Sequence, residues 1–407
     1  MSVEKTKLNQ SASLWHNGNY LLLWSGQTVS SVGSGVSQIA FPLLVLMITR
    51  SPAQAGFAGA LRTVPYFIFT LPGGALIDRW NRKWVMILCD AGRALSLASI
   101  PVAFILGDLT IAQLYIVALI EGTLYVFFDL AETASLPRVV SKEQLPAATA
   151  QNNVTFGVTT LLGPPLGTVL YSIGRVLPFL ADAVSYAISV LSLFFIKVKF
   201  QQERVAAPRK LYLEVFEGMK WLWQQPLLRS MALLNCGMAG LGAGGTLLII
   251  VLAERQHTST AFIGFIFSLG GIGAILGSLL AKPIQQRFTY GQAIIGLWWL
   301  YPLPFVLLAV APNPLILGGL LAAGLLVDSA YNVVQFSYRL ALIPDELQGR
   351  VNSSFRLISY SLRPLGQALT GVLIQSMGVV FTVLVFSLCL VMLAVAATLN
   401  SHVRNAR

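Results

Sequence analysis

Residues able to carry charge are scarce in this chain, so their positions are informative. Only 11% of its 407 residues are Asp, Glu, Lys or Arg, against about 25% in ordinary soluble domains. Five polar or charged side chains nevertheless crowd into six positions, Asp78-Arg79-Trp80-Asn81-Arg82-Lys83. The chemistry open to them is ion pairing and helix-end electrostatics. Asp78 suits a helix N-terminus or the Arg82 side chain, and Gly74 lets two helices approach closely. The plainer alternative is a solvated loop whose cations hold two flanking helices at lipid headgroups.

Ionisable residues also stand deep inside apolar runs: Arg62, Asp90, Arg93, Glu121, Asp129, Asp182, Asp328, Arg356 and Arg363. A charge at membrane depth is costly, so a functional role is the default reading. Glu121 falls about eleven residues, roughly 16 Å, into its run. Two roles stay open for it: a carboxyl that loads and releases a proton, or a fixed salt bridge with Arg62 at similar depth. Asp328 shares a helix face with Tyr331, Asn332 and Gln335, and Arg363 shares one with Arg356, Ser359 and Gln367. Those faces read as a pairing of Asp328 with Arg363, or as a polar stripe facing a substrate. Asp328 is the second candidate for proton coupling.

Gln27, Ser31, Ser34 and Gln38 fall at i, i+4, i+7 and i+11, one face of a helix, and suggest the wall of a water-lined cavity. Trp298, Trp299 and Tyr301 read as interfacial anchors. Gly163-Pro164-x-x-Gly167 combines a helix-bending proline with glycines that admit a partner backbone; an ordinary packing kink is the alternative.

The elements that position these residues follow from composition. With 56% hydrophobic residues, a soluble globule of this size has nowhere to bury its apolar surface, and a polytopic membrane protein is expected. The net charge of +11 falls in gaps between apolar runs rather than among stacking aromatics, which excludes nucleic-acid binding. The three cysteines and three histidines lack metal-ligand spacing. No phosphate-binding Gly-x-x-x-x-Gly-Lys-Ser/Thr loop or Ser/His/Asp set stands out, so neither cofactor nor enzymatic activity is expected. Residues 1–19 are polar, and the first apolar run is too long for a cleavable signal.

Splitting at turns and charge clusters gives twelve candidate spans, near 20–48, 53–77, 84–106, 110–134, 146–173, 177–198, 228–254, 259–284, 291–310, 313–341, 349–377 and 379–400. Loop cations gather on one side, leaving only Arg50, Arg175 and Arg255 on the other, which puts both termini in the cytoplasm. Residues 199–227 break the apolar rhythm and read as a linker with an interfacial helix. The expected organisation is a cytoplasmic segment 1–19, a six-helix bundle 20–198, the linker 199–227, a second bundle 228–400 and a tail 401–407. Gly163-Pro164-Pro165-Leu166-Gly167 is echoed by Arg363-Pro364-Leu365-Gly366 and Gly371, as a parallel duplication of six helices would give.

The run Gly74-x-x-x-Asp78-Arg79-x-x-Arg82-Lys83 resembles the loop between helices 2 and 3 of the major facilitator superfamily. Asn81 stands where that family usually has Gly, and both tolerate a left-handed turn. The Gly163 motif resembles the fifth-helix motif of the exporting, antiporter branches, with Thr168 where a further Gly is usual. Asn19-Tyr20-Leu21-Leu22-Leu23-Trp24-Ser25-Gly26-Gln27, Asp90-Ala91-Gly92-Arg93-Ala94, Phe128-Asp129-Leu130-Ala131, Leu136-Pro137-Arg138-Val139-Val140, the run from Gly218 to Arg229, and Gly349-Arg350-Val351 resemble one branch. That branch is the drug:proton antiporters that include macrolide-efflux proteins and the enterobactin exporter. It usually carries an apolar residue at the position of Glu121.

The resemblance implies an all-α membrane protein of twelve transmembrane helices in two six-helix bundles. It implies a conformational latch in which Gly74, Asp78, Arg79, Arg82 and Lys83 act with Asp129, Asp78 docking on residues 349–351. It implies proton-coupled efflux of a drug-like or natural-product molecule from the plasma membrane by a monomer, its partners being substrate, protons and lipid. Candidate cavity-lining residues are Gln27, Ser31, Ser34, Gln38, Arg62, Asn332, Gln335, Arg356 and Arg363. Other expectations are export of a siderophore or lipid-like metabolite, solute uptake, or a non-transporting sensor or scaffold.

Overall fold

The computed structural model describes residues 14–141, 143–198, 200, 211–344 and 347–406, and every regular element among them is helical. The first six helices are α1 (Gly18–Thr49), α2 (Pro52–Ile77), α3 (Arg82–Leu106), α4 (Ile111–Val139), α5 (Leu145–Ile173) and α6 (Leu177–Phe195). After α7 (Leu211–Gln224) come α8 (Pro226–Gly242), α9 (Gly245–Arg255), α10 (Thr260–Arg287), α11 (Tyr290–Leu300) and α12 (Pro302–Leu307). Then follow α13 (Pro314–Leu342), α14 (Gln348–Tyr360), α15 (Arg363–Met377), α16 (Val379–Leu399) and the short α17 (Ser401–Arg404). Of the expected boundary segments, residues 1–13, Lys142, Lys199, residues 201–210, Asp345, Glu346 and Arg407 lie outside the described residues.

Capping side chains set the starts. Asn17, Ser51, Asn81, Thr110, Ser259 and Asn313 each accept a hydrogen bond from a backbone N–H three residues on, satisfying an orphan donor of the first turn. Pro52 and Pro314 sit in first turns, where proline's missing N–H costs nothing. Asn81 does not use the left-handed conformation that it and glycine tolerate. It is extended at φ −70° and caps α3 through Trp84 N.

Among the described residues, ten helical stretches are long and apolar enough to cross a membrane: α1, α3, α4, α5, α6, α8 with α9, α10, α11 through Val310, α13 and α16. The other two expected spans are α2, 26 residues or about 39 Å long, and α14 with α15. Three expected spans are not continuous. The chain breaks at Ala243 and Gly244, at Tyr301, and at Ser361 and Leu362. Pro302 and Pro364 explain the last two, because each removes a backbone donor and opens a new helix.

Within the first six helices, α1 packs on α5 and α6, α2 on α4, and α3 on α4 and α6; in the second set, α10 packs on α13 and α8 on α14, α15 and α16. The expected internal echo recurs in the packing: Gly163 of α5 meets Gly35 of α1, and Gly366 of α15 meets Gly240 of α8. The two sets touch along α2 with α15 and α5 with α10. Buried apolar side chains fall into three cores. One, at the cation-poor end, joins both sets through Leu44, Ile100 and Tyr186 with Ile250, Ile266 and Ile374. At the cation-rich end the cores are separate, one around Ile77, Met86 and Phe128, the other around Leu222, Tyr331 and Phe355. The sets are thus fused at one end and apart at the other.

Candidate functional site

A polar cluster lies inside the first six helices. Asp90 and Asp182 are fully buried, and Arg93 and Glu121 nearly so. Arg93 of α3 stands 3.7 Å from Asp90 Oδ1 and 3.5 Å from Glu121 Oε2, and Arg62 of α2 approaches the same Glu121 oxygen at 3.9 Å. The salt bridge offered for Glu121 therefore exists, with two arginines rather than one. The Arg93 guanidinium lies 4.1 Å from the centre of the Tyr186 ring, a cation–π contact strengthened by desolvation. Hydroxyls complete the network. Ser189 donates to Asp90 Oδ2 at 2.6 Å, Ser96 donates to Glu121 Oε1 at 3.4 Å, and Ser37 bonds Asp182 Oδ2 at 2.5 Å.

Helix register explains the hydroxyls. Gln27 Nε2 donates to Ser189, and Ser34 shares a 2.8 Å bond with Tyr186. The α1 face expected to line water thus packs partly against α6. Gln27 is buried, Ser31 and Ser34 are half-buried, and Gln38 alone of the four is exposed. Ser37, outside the expected stripe, makes the most consequential bond of α1.

A second group faces the gap between the two sets. Tyr66 of α2 and Tyr360 of α14 bring their rings within 6.4 Å; Arg356 lies 5.9 Å from the Tyr66 ring and Arg363 4.9 Å from the Tyr360 ring. Asp129 of α4 makes no ion pair at contact distance among the described residues, and Arg356 is the cation whose charge bears on it. It does not pair with Arg82, as the latch expectation had it, because its position on α4 turns it across the gap toward α14. Asp328 accepts from Asn332 Nδ2 at 3.0 Å and feels the charge of Arg363 without an ion-pair contact. Gln335 is buried.

At the charged loop, Asp78 Oδ1 accepts from Arg82 Nη2 at 3.2 Å, and Gly74 O accepts from Asp78 N. Arg82 Nη1 donates to Ala134 O at 2.7 Å, and Lys83 Nζ donates to Phe194 O and Ile196 O at 3.1 and 2.7 Å. These cations meet the carbonyl ends of α4 and α6, the favourable end of a helix dipole for positive charge. Arg79 is exposed.

At the cation-poor end the sets are clamped. Gln375 Oε1 accepts from Ser51 Oγ at 2.5 Å and Ala53 N at 3.1 Å, and Gln367 Oε1 accepts from Thr63 Oγ1 at 3.1 Å. A Cβ on Gly56 would stand 2.6 Å from the Gln367 carbonyl, so only glycine fits there. On the opposite side Gly271 of α10 lies against Leu161 of α5. Gly163 and Gly167 of the fifth-span motif face α1, the latter against Val36 and Ile39, so they join helices of one set.

The model of the Major Facilitator Superfamily matches residues 23–366. The chain belongs to the major facilitator superfamily. It is similar to the multidrug efflux pump Tap of Mycolicibacterium fortuitum, 25% identical over 411 residues, covering 95% of this chain and 97% of that protein. It is also similar to the enterobactin exporter EntS of Escherichia coli O9:H4 (strain HS), 25% identical over 358 residues, covering 84% and 82%. Among solved structures, a bacterial homologue of the iron transporter ferroportin in its inward-facing state superposes with a TM-score of 0.77 at 16% identity, covering 95% and 98%. Such a homologue in the outward-facing state reaches 0.59 at 17% identity, covering 92% and 97%. These likenesses show the superfamily fold.

Several site residues of this superfamily member escaped the sequence. Tyr66 and Tyr360 look like ordinary aromatic residues until α2 and α14 are brought face to face. Glu132 is half-buried on α4 with Asp129 and Asp90 as its charged neighbours; its i+3 spacing from Asp129 was the available signal. Trp298, expected at the interface, is buried against Tyr331 with ring centres 5.7 Å apart, because its side of α11 faces α13.

Proposed function

We propose that this chain is a secondary active transporter that exports a drug-like or natural-product small molecule in exchange for protons, by alternating access. The observation that carries the reading is the division of the core. A joint core closes one end of the path between the sets while separate cores leave the other end open. Loop cations mark the open end as cytoplasmic. The chain would then stand inward-open, ready to take substrate from the cytoplasm, and the higher TM-score against an inward-facing structure supports this. Similarity to an efflux pump and an exporter supports outward transport.

In this reading the protein works as a monomer in the plasma membrane, with α2 and α14–α15 completing twelve spans. The bundles are residues 20–198 and 228–400, and both termini and the 199–227 linker are cytoplasmic. Substrate sits between Tyr66, Asp129 and Glu132 on one side and Asp328, Asn332, Arg356, Tyr360 and Arg363 on the other. When the cytoplasmic mouth closes, the loop of Asp78, Arg82 and Lys83 docks on the start of α14 and holds the outward-facing state. The Gly163 motif supplies the rigid seam on which the first bundle rocks.

A second reading, export of an anionic siderophore, is favoured by Arg356 and Arg363, which face the gap with no carboxylate at ion-pair distance among the described residues. Efflux-deficient cells expressing the chain separate the two. With ethidium, erythromycin and a catechol siderophore as probes, lowered accumulation of the first two supports drug export. Secretion of the siderophore alone supports the second reading, and no change with any probe contradicts both.

A further inference from the structure

We propose that Asp182 of α6 carries the exchanged proton and is protonated in the inward-open state, with Ser37 as its hydrogen-bond partner. This rests on the reading of the chain as a proton-driven exporter and names the residue that couples it. The buried cluster holds three carboxylates, Asp90, Glu121 and Asp182, and two guanidiniums, Arg62 and Arg93. Buried charges persist when paired. Arg93 contacts Asp90 and Glu121, and Arg62 contacts Glu121. Asp182, with no exposed surface, has no arginine at ion-pair distance among the described residues and is met only by hydroxyls.

The hydroxyls can serve either form, and counting charges places the proton. The Ser37 hydroxyl has one hydrogen but two oxygens within reach, Ser34 O at 3.2 Å and Asp182 Oδ2 at 2.5 Å. Ser185 likewise has Asp182 O at 2.7 Å and Asp182 Oδ1 at 3.2 Å. A hydroxyl donates once. With a proton on Oδ2, Asp182 O–H donates to Ser37, Ser37 donates to Ser34 O, and Ser185 keeps its contact with Oδ1. The ionised form would use both hydroxyls as donors but leave a buried charge with no cation at contact distance among the described residues. The remaining charges are then two carboxylates and two guanidiniums, and the cluster is neutral. The groups facing Asp182 are Ser37 of α1, Arg62 of α2, Arg93 of α3, Glu121 of α4, and Ser185 and Tyr186 of its own helix. Neither α1 nor α5 carries an Asp, Glu, His, Lys or Arg.

The same geometry connects the proton to the gate. Loss of the proton to water leaves a carboxylate that draws Arg93 away from Glu121, which then depends on Arg62 alone. Arg62 adjoins Thr63, whose hydroxyl holds Gln367 across the clamp, and its own carbonyl rests against Gly122 beside Glu121. The charge change at Asp182 therefore reaches α2 at the point where α2 grips α15. Each cycle takes one proton from the cation-poor side and releases one to the cytoplasm.

The test uses the purified full-length protein in liposomes. Infrared difference spectra recorded while pH is raised read the C=O band of a protonated carboxyl. Spin labels on α2 and α15 at the clamp read its opening over the same pH range. The expected result is loss of one protonated-carboxyl band, together with a gate equilibrium that shifts by up to about tenfold per pH unit, the limit for one linked proton. Both responses vanish in Asp182→Asn and return in Asp182→Glu, whereas Glu121→Gln, which removes the link between Arg93 and Arg62, weakens the gate response. Persistence of the band and of the pH-dependent gate in Asp182→Asn overturns the assignment. If the band and gate behave as expected but no probe drives proton release, the export reading falls and the Asp182 assignment stands.

Discussion

Arg93 ties the interior of the first bundle together. It touches Asp90 and Glu121, lies on the Tyr186 ring and is 4% exposed. Replacing it with Met leaves buried carboxylates without their cation, and removing one partner of a buried pair costs about 3–5 kcal/mol. Arg93→Met should therefore markedly lower the unfolding midpoint in detergent. Arg62→Met should lower it much less, since the Arg62 side chain is 25% exposed and shares Glu121 with Arg93. Equal effects would show that Arg93 is not the hub. At this scale the sequence identified the charged residues and two of their pairings, Glu121 with Arg62 and Asp78 with Arg82, but not the others. Asp182 and Arg93 were legible as charges at membrane depth. Their bonds to Ser37 and Tyr186 depend on the rotation of α1 against α6, which no periodicity within one helix reports.

Helix starts were the most legible elements, because Asn, Ser, Thr and Pro at caps act locally. The break after Gly242 was hidden, since it falls inside a run that remains apolar, whereas the one after Tyr360 stands just ahead of Pro364. The clamp between α2 and α15 makes a direct element-scale prediction. Cysteines at Ser51 and Gln375, in a background without Cys89, Cys236 and Cys389, should be joined by a short bifunctional thiol cross-linker, because the Ser51 hydroxyl reaches the end of the Gln375 side chain. Adding Gly56→Leu should cut the cross-linking yield several-fold, since the new side chain enters space held by the Gln367 carbonyl. Unchanged yield would mean that the helices meet elsewhere. Lys83→Ala removes a cation from the end of α6, a loss of about 0.3–1 kcal/mol. A small drop in thermal stability should follow, with far less effect than Arg93→Met.

The all-helical, membrane-spanning architecture and superfamily membership were legible from composition and from the charged loop. Apolar runs of span length interrupted by cationic turns leave few other folds. The state of the molecule was not legible, because which end of the path is closed depends on contacts between helices hundreds of residues apart, such as Ser51 with Gln375. The central claim is proton-driven export through that path. Everted membrane vesicles from efflux-deficient cells, carrying a luminal pH dye and given ethidium or erythromycin, test it most directly. The account predicts that adding substrate to energised vesicles releases luminal protons in wild type and not in Asp182→Asn or Asp78→Asn. Substrate uptake with no proton release in wild type would contradict it.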